Sequence, residues 1–577
     1  MTTSALVLGP ILRYVDEVSA SIWVETRESA TVTVSTAHGT TSARTFAVHG
    51  HHYALLQVGG LTPGTVTPYS VEVDGTRAWP DVDSSLPASV ICTLEPGRPL
   101  RLSFGSCRTS VPHDKAGNRA HGVDALRAFA LQLATRDRVV EWPDLMLFLG
   151  DQVYADSTST AMQQFISARR DIHEPPGTEL ADYEEYAHLY RLAWSDEANR
   201  WLLSTVSSAM IFDDHDVRDD WNASLSWKRK MEATTWWHGR IVAGLASYWV
   251  HQHLGNLSPS ERADDEIWRR IADHDDASEL DLSDVLDEFA ARCDREPRSY
   301  RWSFCRDFTE SRLIVLDSRA ARELDPARRA LVDDVETAWL DERMRGGFRH
   351  LLVGTSLPFL LPPGLHHVES WDEAISEGAW GRFAAGIGER LRQAFDLEHW
   401  GAFQRSFRRV AEMATEVADG KRGEAPDTVT FLSGDVHFSY ISEVERSSGS
   451  RIVQAVCSPI RNPMHVVLRT FNAVLAYGIV TKLAARLART AGVGDPPFHW
   501  SGIAGPWFDN CLASLVETPD GLRMRWVSGI VERGDYLRPE WTEVAAITLE
   551  PRRLSLASPA STLSRADGRT RNRRSGR

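Results

Sequence analysis

The segment DLMLFLGDQVY, residues 144–154, decides the fold, because a run of apolar residues ends there in a glycine and a carboxylate. Each such short apolar run has the length and branching of a buried strand. We therefore predict strands whose ends carry polar, potentially reactive residues. The related segments are LRLSFGSCR (100–108), SAMIFDDHD (208–216), SRLIVLDSR (311–319), RHLLVGTS (349–356) and TVTFLSGDVHF (428–438).

Helical stretches separate these strands, and strands that alternate with helices indicate a layered α/β domain. We predict helices within residues 121–136, 160–205, 227–254, 327–345 and 385–418. Ligands of such sheets bind beyond the carboxyl ends of the strands. The candidate residues at those ends are Cys107, Asp151, Asp214, His215, Asp435 and His437.

The flanking sequence predicts three regions. Residues 1–98 contain alternating runs such as SASIWVET and ATVTVST between turn-rich stretches, which predicts a small β-sandwich. Residues 99–550 form the α/β domain with helical insertions, and the acidic stretch 256–298 is an expected exposed insertion. Residues 551–577 carry eight arginines and one aspartate, which predicts a disordered basic tail.

Composition narrows the possible partners. The formal net charge of −15 argues against nucleic acid, and we expect no sequence-specific nucleic-acid partner.

The N-terminus MTTSALVLGP shows neither a signal peptide nor a twin-arginine motif, so we expect cytoplasmic localisation. The basic apolar segment 464–492 is too charged to span a bilayer. We expect it to cover the core, with weak contact to an anionic membrane through 464–492 or the tail as the alternative. The oligomeric state is not defined.

Two of the strand ends carry clustered carboxylates. Asp151 can bridge two hard cations through its two oxygens, and Tyr154 reaches the same side if the turn is helical. The run Asp213–Asp216 places three carboxylates around His215, which costs Coulomb energy unless a cation compensates. The structural alternatives are a helix cap for Asp151 and a solvated turn for the Asp213–Asp216 run.

The other two strand ends carry softer ligands. Asp435 and His437 lie two residues apart, so an extended chain projects both to one face. The Cys107 thiol stands beside Arg108, which favours a lowered pKa, although a lone cysteine is most often a small buried hydrophobe. The four ends together fit a dinuclear metal site, in which two cations ~3.5–4 Å apart serve phosphoryl displacement.

The motifs FGSCR, GDQVYAD, IFDDHDVRDDWN and LSGDVHF resemble the alkaline phosphatase D (PhoD-like) family of metallophosphoesterases over about residues 100–460. LDSR (316–319) and ETAWL (336–340) are also similar to family landmarks. The resemblance implies a fibronectin-like N-terminal β-sandwich followed by a four-layer αββα domain. It further implies an Fe³⁺ ion held by Cys107, Asp151, Tyr154 and His437, and Ca²⁺ or another divalent metal held by Asp151, Asp214 and Asp435.

The resemblance also implies a reaction. His215 matches the histidine that contacts the substrate and protonates the leaving oxygen, and Arg108 is a phosphate clamp by position. The expected activity is hydrolysis of a small phosphate monoester or diester by in-line attack of a metal-activated hydroxide. One departure is that residues 354–356 stand where an Asn, Gln or His ligand is expected. Whether Thr355 or Ser356 ligates the second metal therefore stays open.

Several alternatives remain at this point. The loop Pro362–Trp380 is either a lid over the site or a solvated loop, and Arg461 forms a structural salt bridge or approaches phosphate. The chain could instead be a catalytically weakened phosphate- or membrane-binding protein that retains the fold, or a cysteine hydrolase centred on Cys107. The residues of the loop that suggest a lid are His366, His367, Glu369, Trp371 and Asp372.

Overall fold

The computed structural model describes residues 5–136, 142–275, 278–463 and 478–551. Its N-terminal part consists of two β-sheets, in the orders β1-β2-β6-β5 and β4-β3-β7-β8, with β9 paired to β7. Apolar side chains of both sheets, such as Ile22 and Val34, share one buried core. The strands are β1 Leu6–Val15, β2 Ala20–Thr26, β3 Thr31–Thr36, β4 Gly39–Arg44, β5 Phe46–Val48, β6 His51–Val58, β7 Val66–Val73, β8 Thr76–Trp79 and β9 Val90–Cys92.

The rest of the described chain is a mixed α/β fold with two larger sheets. One has the order β12-β11-β10-β21-β22-β23, and the other has the order β14-β15-β16-β17-β19-β18-β20. The strands are β10 Arg101–Gly105, β11 Leu145–Leu149, β12 Ser208–Ile211, β13 Leu280–Asp281, β14 Phe304–Asp307, β15 Ser311–Leu316, β16 His350–Thr355, β17 Thr428–Ser433, β18 Ser439–Val444, β19 Arg451–Val456, β20 Trp500–Trp507, β21 Cys511–Thr518, β22 Gly521–Ile530 and β23 Glu540–Leu549.

The two larger sheets face each other, and this brings the reactive strand ends together. Within the first sheet β10, β11 and β12 are parallel, and within the second β15, β16, β17 and β19 are parallel. A Cβ atom added to Gly354 of β16 would lie 3.1 Å from Leu149 of β11. The carboxyl ends of strands from both sheets therefore meet at one edge of the domain.

The helices cover these sheets in shorter pieces than the sequence predicts. The predicted stretch 160–205 divides into three helices, because Asp182 and Asp196 each cap a new helix with a side-chain hydrogen bond. The helices are Lys115–His121, Ala125–Leu133, Thr160–Arg169, Tyr183–Trp194, Glu197–Thr205, Leu225–Glu232, Trp237–Tyr248, Pro259–Asp264, Glu266–Ala272, Ser283–Arg295, Asp334–Arg343, Pro363–Ser376, Arg382–Ala394, Gln404–Ala418 and Gly478–Thr490.

The acidic stretch 256–298 is not the exposed insertion that its charge suggests. Its strand β13 pairs in parallel with β5 of the N-terminal sheet, and Leu286 and Phe289 of the helix Ser283–Arg295 are buried. That helix packs on the helix Trp237–Tyr248. The acidic residues of the helix Ser283–Arg295 lie on its outer face. The helix is therefore amphipathic, which the high charge of the stretch does not indicate.

A π-helical turn, Trp249–His253, continues the helix Trp237–Tyr248 beneath the N-terminal sheet. Arg13 of β1 reaches it, because its Nη2 donates to the carbonyl of Gln252 and to Oδ1 of Asn256. His251 stacks on Tyr190, with ring centroids 4.1 Å apart. His253 is equally buried, and Tyr248, Tyr300 and Trp302 surround its ring. We call Trp249–His253 the histidine turn.

Most of the segment Pro362–Trp380 is helical and largely shielded, and only its last residues, 377–380, form an exposed turn. Residues Pro363–Ser376 form a helix with proline at its first position, where the missing N–H costs no hydrogen bond. His366, Glu369 and Asp372 of this helix are buried. The segment interpreted as a loop therefore contains a helix of fourteen residues.

The segment 464–492 is described only in part, because residues 464–477 lie outside the described residues. The described helix Gly478–Thr490 packs against the helix Pro363–Ser376. Residues 552–577 of the predicted tail also lie outside the described residues. Among the described helices, none combines the length and apolarity that a membrane crossing requires.

Candidate metal centre

The candidate residues sit on strained backbone just beyond the strand ends. Cys107, Asp151, Asp435 and His437 have φ values of 58°, 48°, 66° and 56°, in the left-handed region that residues other than glycine rarely adopt. Such strain clusters at functional sites, where the surrounding structure enforces it. Gly434 allows the close approach, since a Cβ there would lie 1.9 Å from Oγ of Ser106.

The first cluster contains a thiol, a carboxylate, an imidazole and a phenol. The ligand atoms of Cys107, Asp151 and His437 lie within 4.8 Å of one another. The Tyr154 hydroxyl is 3.4 Å from Oδ2 of Asp151. Burial, reinforced by Asp151 and Asp435, raises the pKa of the Cys107 thiol well above its usual value. Burial, Cys107 and Asp151 raise the pKa of the Tyr154 phenol in the same way. We call these four residues the thiol cluster.

The second cluster shares Asp151 with the first. Ligand atoms of Asp151, Asp214 and His215 also lie within 4.8 Å of one another. Nδ1 of His215 is hydrogen-bonded to Asp156 at 2.9 Å, which leaves Nε2 available to the site. Burial lowers the pKa of His215, but Asp156 and Asp214 outweigh it and raise that pKa well above its usual value. The neighbouring carboxylates of Asp156 and Asp214 therefore favour the protonated form of the imidazole.

A buried arginine compensates the third cluster, which consists of Asp213, Asp214 and Asp435. Nε of Arg319 donates to Asp213, and Nη2 lies 3.3 Å from Oδ1 of Asp214 and 4.0 Å from Oδ1 of Asp435. Nη1 donates to Glu398. The guanidinium of Arg319 is therefore a positive charge already present among the carboxylates of the third cluster.

His399 joins the site from outside the strand ends. Its Nε2 lies 2.7 Å from Oδ2 of Asp435, and its Nδ1 lies 2.6 Å from Oε1 of the buried Glu369. Burial lowers the pKa of His399, but Glu369 and Asp435 raise it well above its usual value. An imidazole held between two carboxylates fixes the orientation of Asp435.

Asp216 has a structural role instead of facing the site. Its Oδ2 accepts hydrogen bonds from the backbone N–H groups of Asp151 and Asp213, each at 2.9 Å. Its Oδ1 accepts from the side chain of Gln252 at 3.1 Å. Of the three carboxylates in the run, one therefore ties the ends of β11 and β12 together, and two face the clusters.

The donor set fits a metal ion. Buried oxygens of Asp151, Asp213 and Asp214 have no hydrogen-bond partner among the described residues. Burial also raises the pKa of Asp151 and Asp213 well above the usual value. Unpaired buried carboxylate oxygens are costly, and a cation between them removes that cost. The carboxylates suit hard cations, while the thiol and imidazole suit a transition metal.

A sequence model described as PhoD-like phosphatase matches residues 129–469, more than half of the chain. The chain belongs to the PhoD-like phosphatase family. A second model, described as a domain of unknown function (DUF7800), matches residues 3–91. As a PhoD-like phosphatase, the chain is a hydrolase that acts on phosphate esters, and its clusters are candidate metal-binding groups.

Comparison with solved structures agrees with this family at the level of the fold. The structure of PhoD is 13% identical, with 96% of this chain and 91% of that chain covered and a TM-score of 0.56. A purple acid phosphatase, PPD1 from yellow lupin (Lupinus luteus) seeds, is 8% identical, with 90% and 71% covered and a TM-score of 0.47. No curated protein sequence matches the chain.

The prediction that Arg108 clamps phosphate is wrong in this PhoD-like chain. Its Nε and Nη2 both donate to Oδ2 of the buried Asp124, and its Nη1 donates to the carbonyl of Ala193. The guanidinium is thus committed to a buried ion pair, because the strand end turns the side chain toward the helix Ala125–Leu133. The pKa of Cys107 is raised by burial, Asp151 and Asp435, and not lowered as its position beside Arg108 suggested.

The Arg461 side chain forms no salt bridge within the described part of the chain, and its guanidinium bonds away from the clusters, although its backbone N–H donates to the carbonyl of Cys107 at 3.1 Å. It donates to the backbone carbonyls of Gly122, Val111 and Pro112 and to Oδ1 of Asn118. Both interpretations of Arg461 from the sequence are therefore wrong. The side chain holds the loop that precedes the helix Ala125–Leu133 against the end of β19.

The strand end at residues 354–356 carries no imidazole or amide. The Ser356 hydroxyl is hydrogen-bonded to Ser318 at 2.7 Å, and the Thr355 hydroxyl is buried without a partner among the described residues. His399 supplies the imidazole nearest to Asp435 instead. Of the predicted lid residues, Glu369 reaches the site through His399, while His366 packs on Phe407.

Three residues of the candidate site could not be assigned a role from the sequence alone. Arg319 lies in LDSR and Asp156 lies in GDQVYAD, so both motifs were visible but no role followed from them. His399 stands in LEHWGAF, which has no strand-end pattern. Its role depends on the position of Glu369, which only the folded chain reveals.

Proposed function

We propose that the chain is a phosphoric ester hydrolase with a dinuclear centre. Cys107, Asp151, Tyr154 and His437 would hold Fe³⁺, and Asp151, Asp214 and Asp435 would hold Ca²⁺ or another divalent metal. The observation that carries the proposal is that Asp151 belongs to two clusters at once, as a bridging carboxylate must. The bound ions would supply an activated water and neutralise the phosphate oxygens.

The chain's own residues then serve the reaction in stated ways. Asp156 holds Nδ1 of His215 and so presents a proton on Nε2, which can pass to the leaving oxygen of the ester. His399 and Glu369 orient Asp435. Arg319 keeps Asp213 and Asp214 from repelling each other and the anionic substrate. The strained backbone of Cys107 and Asp151 holds both side chains in the site before substrate binds.

Finer assignments belong to the same proposal. The facing larger sheets with their helices support a four-layer αββα arrangement, and the two N-terminal sheets support a fibronectin-like sandwich. We propose a small phosphate monoester or diester as substrate and a cytoplasmic location. His437 agrees with a neutral metal-binding imidazole, because burial lowers its pKa to about 4 despite Asp435.

The test combines metal analysis with hydrolysis assays. We expect the purified protein to contain iron, seen by elemental analysis and by anomalous scattering at the iron edge. It should hydrolyse aryl phosphates or bis-aryl phosphates. Asp151→Asn should lose both metals and activity, whereas Asp83→Asn, an exposed change in the N-terminal part, should lose neither. Full activity in Asp151→Asn would contradict the dinuclear centre.

The two alternative functions have less support. A weakened site was suggested by the missing ligand at residues 354–356, but the carboxylates of Asp151, Asp214 and Asp435 still take part in the clusters. A cysteine hydrolase needs a reactive thiolate, whereas burial, with Asp151 and Asp435, raises the pKa of Cys107 well above its usual value. Inactivation by iodoacetamide without sensitivity to chelators would favour the cysteine hydrolase.

A further inference from the structure

An exposed apolar face lies on the two helices that flank the helix Pro363–Ser376. Among the described residues, three Phe or Trp side chains are strongly exposed, and all three stand between residues 380 and 395. Monomeric soluble proteins seldom expose such clusters unless another surface covers them. The large apolar side chains of this face are Trp380, Phe383, Ile387, Phe395 and Leu483, which are between 43% and 87% exposed.

The two helices are joined through a shared neighbour and one hydrogen bond. Both the helix Arg382–Ala394 and the helix Gly478–Thr490 pack on the helix Pro363–Ser376. Nε1 of Trp380 donates to the carbonyl of Thr490 at 3.2 Å, which joins the start of one helix to the end of the other. Trp371 of the central helix packs edge-on against Trp380 and supports it from below. We call this surface the aromatic face.

The exposed charges within the two helices of the aromatic face are cationic, while the exposed acids Glu377 and Asp396 lie just before and just after the helix Arg382–Ala394. The exposed positions of the helix Arg382–Ala394 are apolar or arginine, because its one acid, Glu389, turns inward to Ser224, Ser226 and Arg392. The exposed side of the other helix likewise carries no acid within its bounds. On these two helices, four basic side chains have no carboxylate partner among the described residues. They are Arg382, Arg390, Lys482 and Arg486.

We propose that the aromatic face docks on an anionic lipid bilayer. Exposed Phe and Trp beside Arg and Lys is the composition of helices that lie in the membrane interface. The whole chain has a net charge of −15, so these cations stand out against an acidic protein. A second copy is a poor occupant, because it would bring the same cations against one another. An anionic lipid surface matches both the apolar and the cationic residues.

The test uses the full chain and vesicles of phosphatidylcholine, with or without an equal part of phosphatidylglycerol. We expect sedimentation with the anionic vesicles and little with the neutral ones. The double variant Phe383→Ser, Ile387→Ser should bind the anionic vesicles roughly tenfold more weakly or worse. Arg382→Gln and Arg390→Gln should each weaken binding roughly fivefold, and less so at high salt. Leu537→Ser, at an exposed apolar residue elsewhere, should bind like the wild type.

The outcomes separate the possible occupants of the aromatic face. Equal binding by the wild type and the double variant would overturn the proposal and assign lipid binding to another part of the chain. A wild-type dimer that the double variant converts to a monomer would overturn it in favour of a second copy. Hydrolysis of a soluble aryl phosphate should be unchanged in the double variant, since Phe383 and Ile387 lie outside the metal centre. This control keeps the proposal separate from the proposed function.

Discussion

The candidate metal centre and the histidine turn are both buried, histidine-containing sites, yet they differ in what surrounds the imidazoles. Asp435 and His437 stand among carboxylates and a thiol, whereas His251 and His253 stand among aromatic rings. Burial lowers the pKa of His251 and of His253 to about 3, so both are neutral packing groups. Burial of histidine alone therefore does not indicate a ligand. Unpaired carboxylates beside it do.

The sharpest test of this difference is substitution of one histidine from each site. His437→Ala removes a donor from the thiol cluster, so we expect iron content to fall and hydrolysis to drop by ~10³-fold, the scale of metal assistance. His253→Gln, which replaces a buried histidine of the histidine turn, should leave both the iron content and kcat unchanged. Steady-state kinetics with metal analysis of each variant measures the two effects. Iron loss in His253→Gln would break the comparison.

A second test compares Arg319 with Arg13, two of the fully buried arginines. Arg319→Met leaves the carboxylates of Asp213 and Asp214 without their cation, while Glu398 keeps Arg322, and breaking such a buried pair costs about 3–5 kcal/mol. Arg13→Met leaves only carbonyl and amide oxygens unsatisfied, which costs about 1–3 kcal/mol. Denaturant unfolding of the metal-free proteins measures both.

Addition of Ca²⁺ then separates the two arginine variants. We expect it to restore part of the free energy of unfolding in Arg319→Met, because the freed acids can bind the ion. It should restore none in Arg13→Met, whose site has no carboxylate. Equal recovery in both variants would show that Ca²⁺ acts elsewhere.

Variants of His399 test whether a residue that only orients the candidate ligand Asp435 affects metal affinity. His399→Gln removes the charged donor from Asp435 and leaves Glu369 unpaired, so we expect metal affinity to fall by about 10- to 100-fold. Competition with a chelator measures this affinity without any assay of activity. Glu369→Gln should give a smaller loss in the same experiment. An unchanged affinity in both variants would confine His399 to packing.

The smallest expected effect is the pH dependence of the histidine turn. Its histidines have folded pKa values of about 3, below the unfolded value, so the unfolded chain binds more protons between these limits. The free energy of unfolding should therefore be complete above about pH 6.5 and should fall by about 1.4 kcal/mol per histidine at pH 5.5. His253→Phe should remove about half of this slope in denaturant unfolding. An unchanged slope would place the protons elsewhere.

The strand ends of the site could be predicted from the sequence because their signal is local. An apolar run followed by Gly-Asp marks a strand and its end wherever the chain goes next, and this placed Asp151, Asp435 and His437. Partner choice is not local. Arg108 follows such an end, but Asp124, sixteen residues later, binds it. The functional assignment of each predicted ligand stays a prediction.

The helical cover was harder to predict for a related reason. The segment Pro362–Trp380 was interpreted as a loop, but a proline at the first position of a helix is compatible with the helix Pro363–Ser376 that the structure has. The acidic stretch 256–298 misled in a similar way, because its apolar residues recur at helical spacing among many charges. In both cases, burial against a distant element decided the structure.

The N-terminal part and the α/β part are not interchangeable modules. Arg13 anchors β1 to the histidine turn, and β13, from the α/β part, completes the N-terminal sheet. A chain that began at residue 99 would lose the hydrogen bonds that Arg13 donates to Gln252 and Asn256. It would also leave β13 as a strand without a sheet. A transplant of either part onto a relative would therefore have to carry matching residues on both sides of the seam.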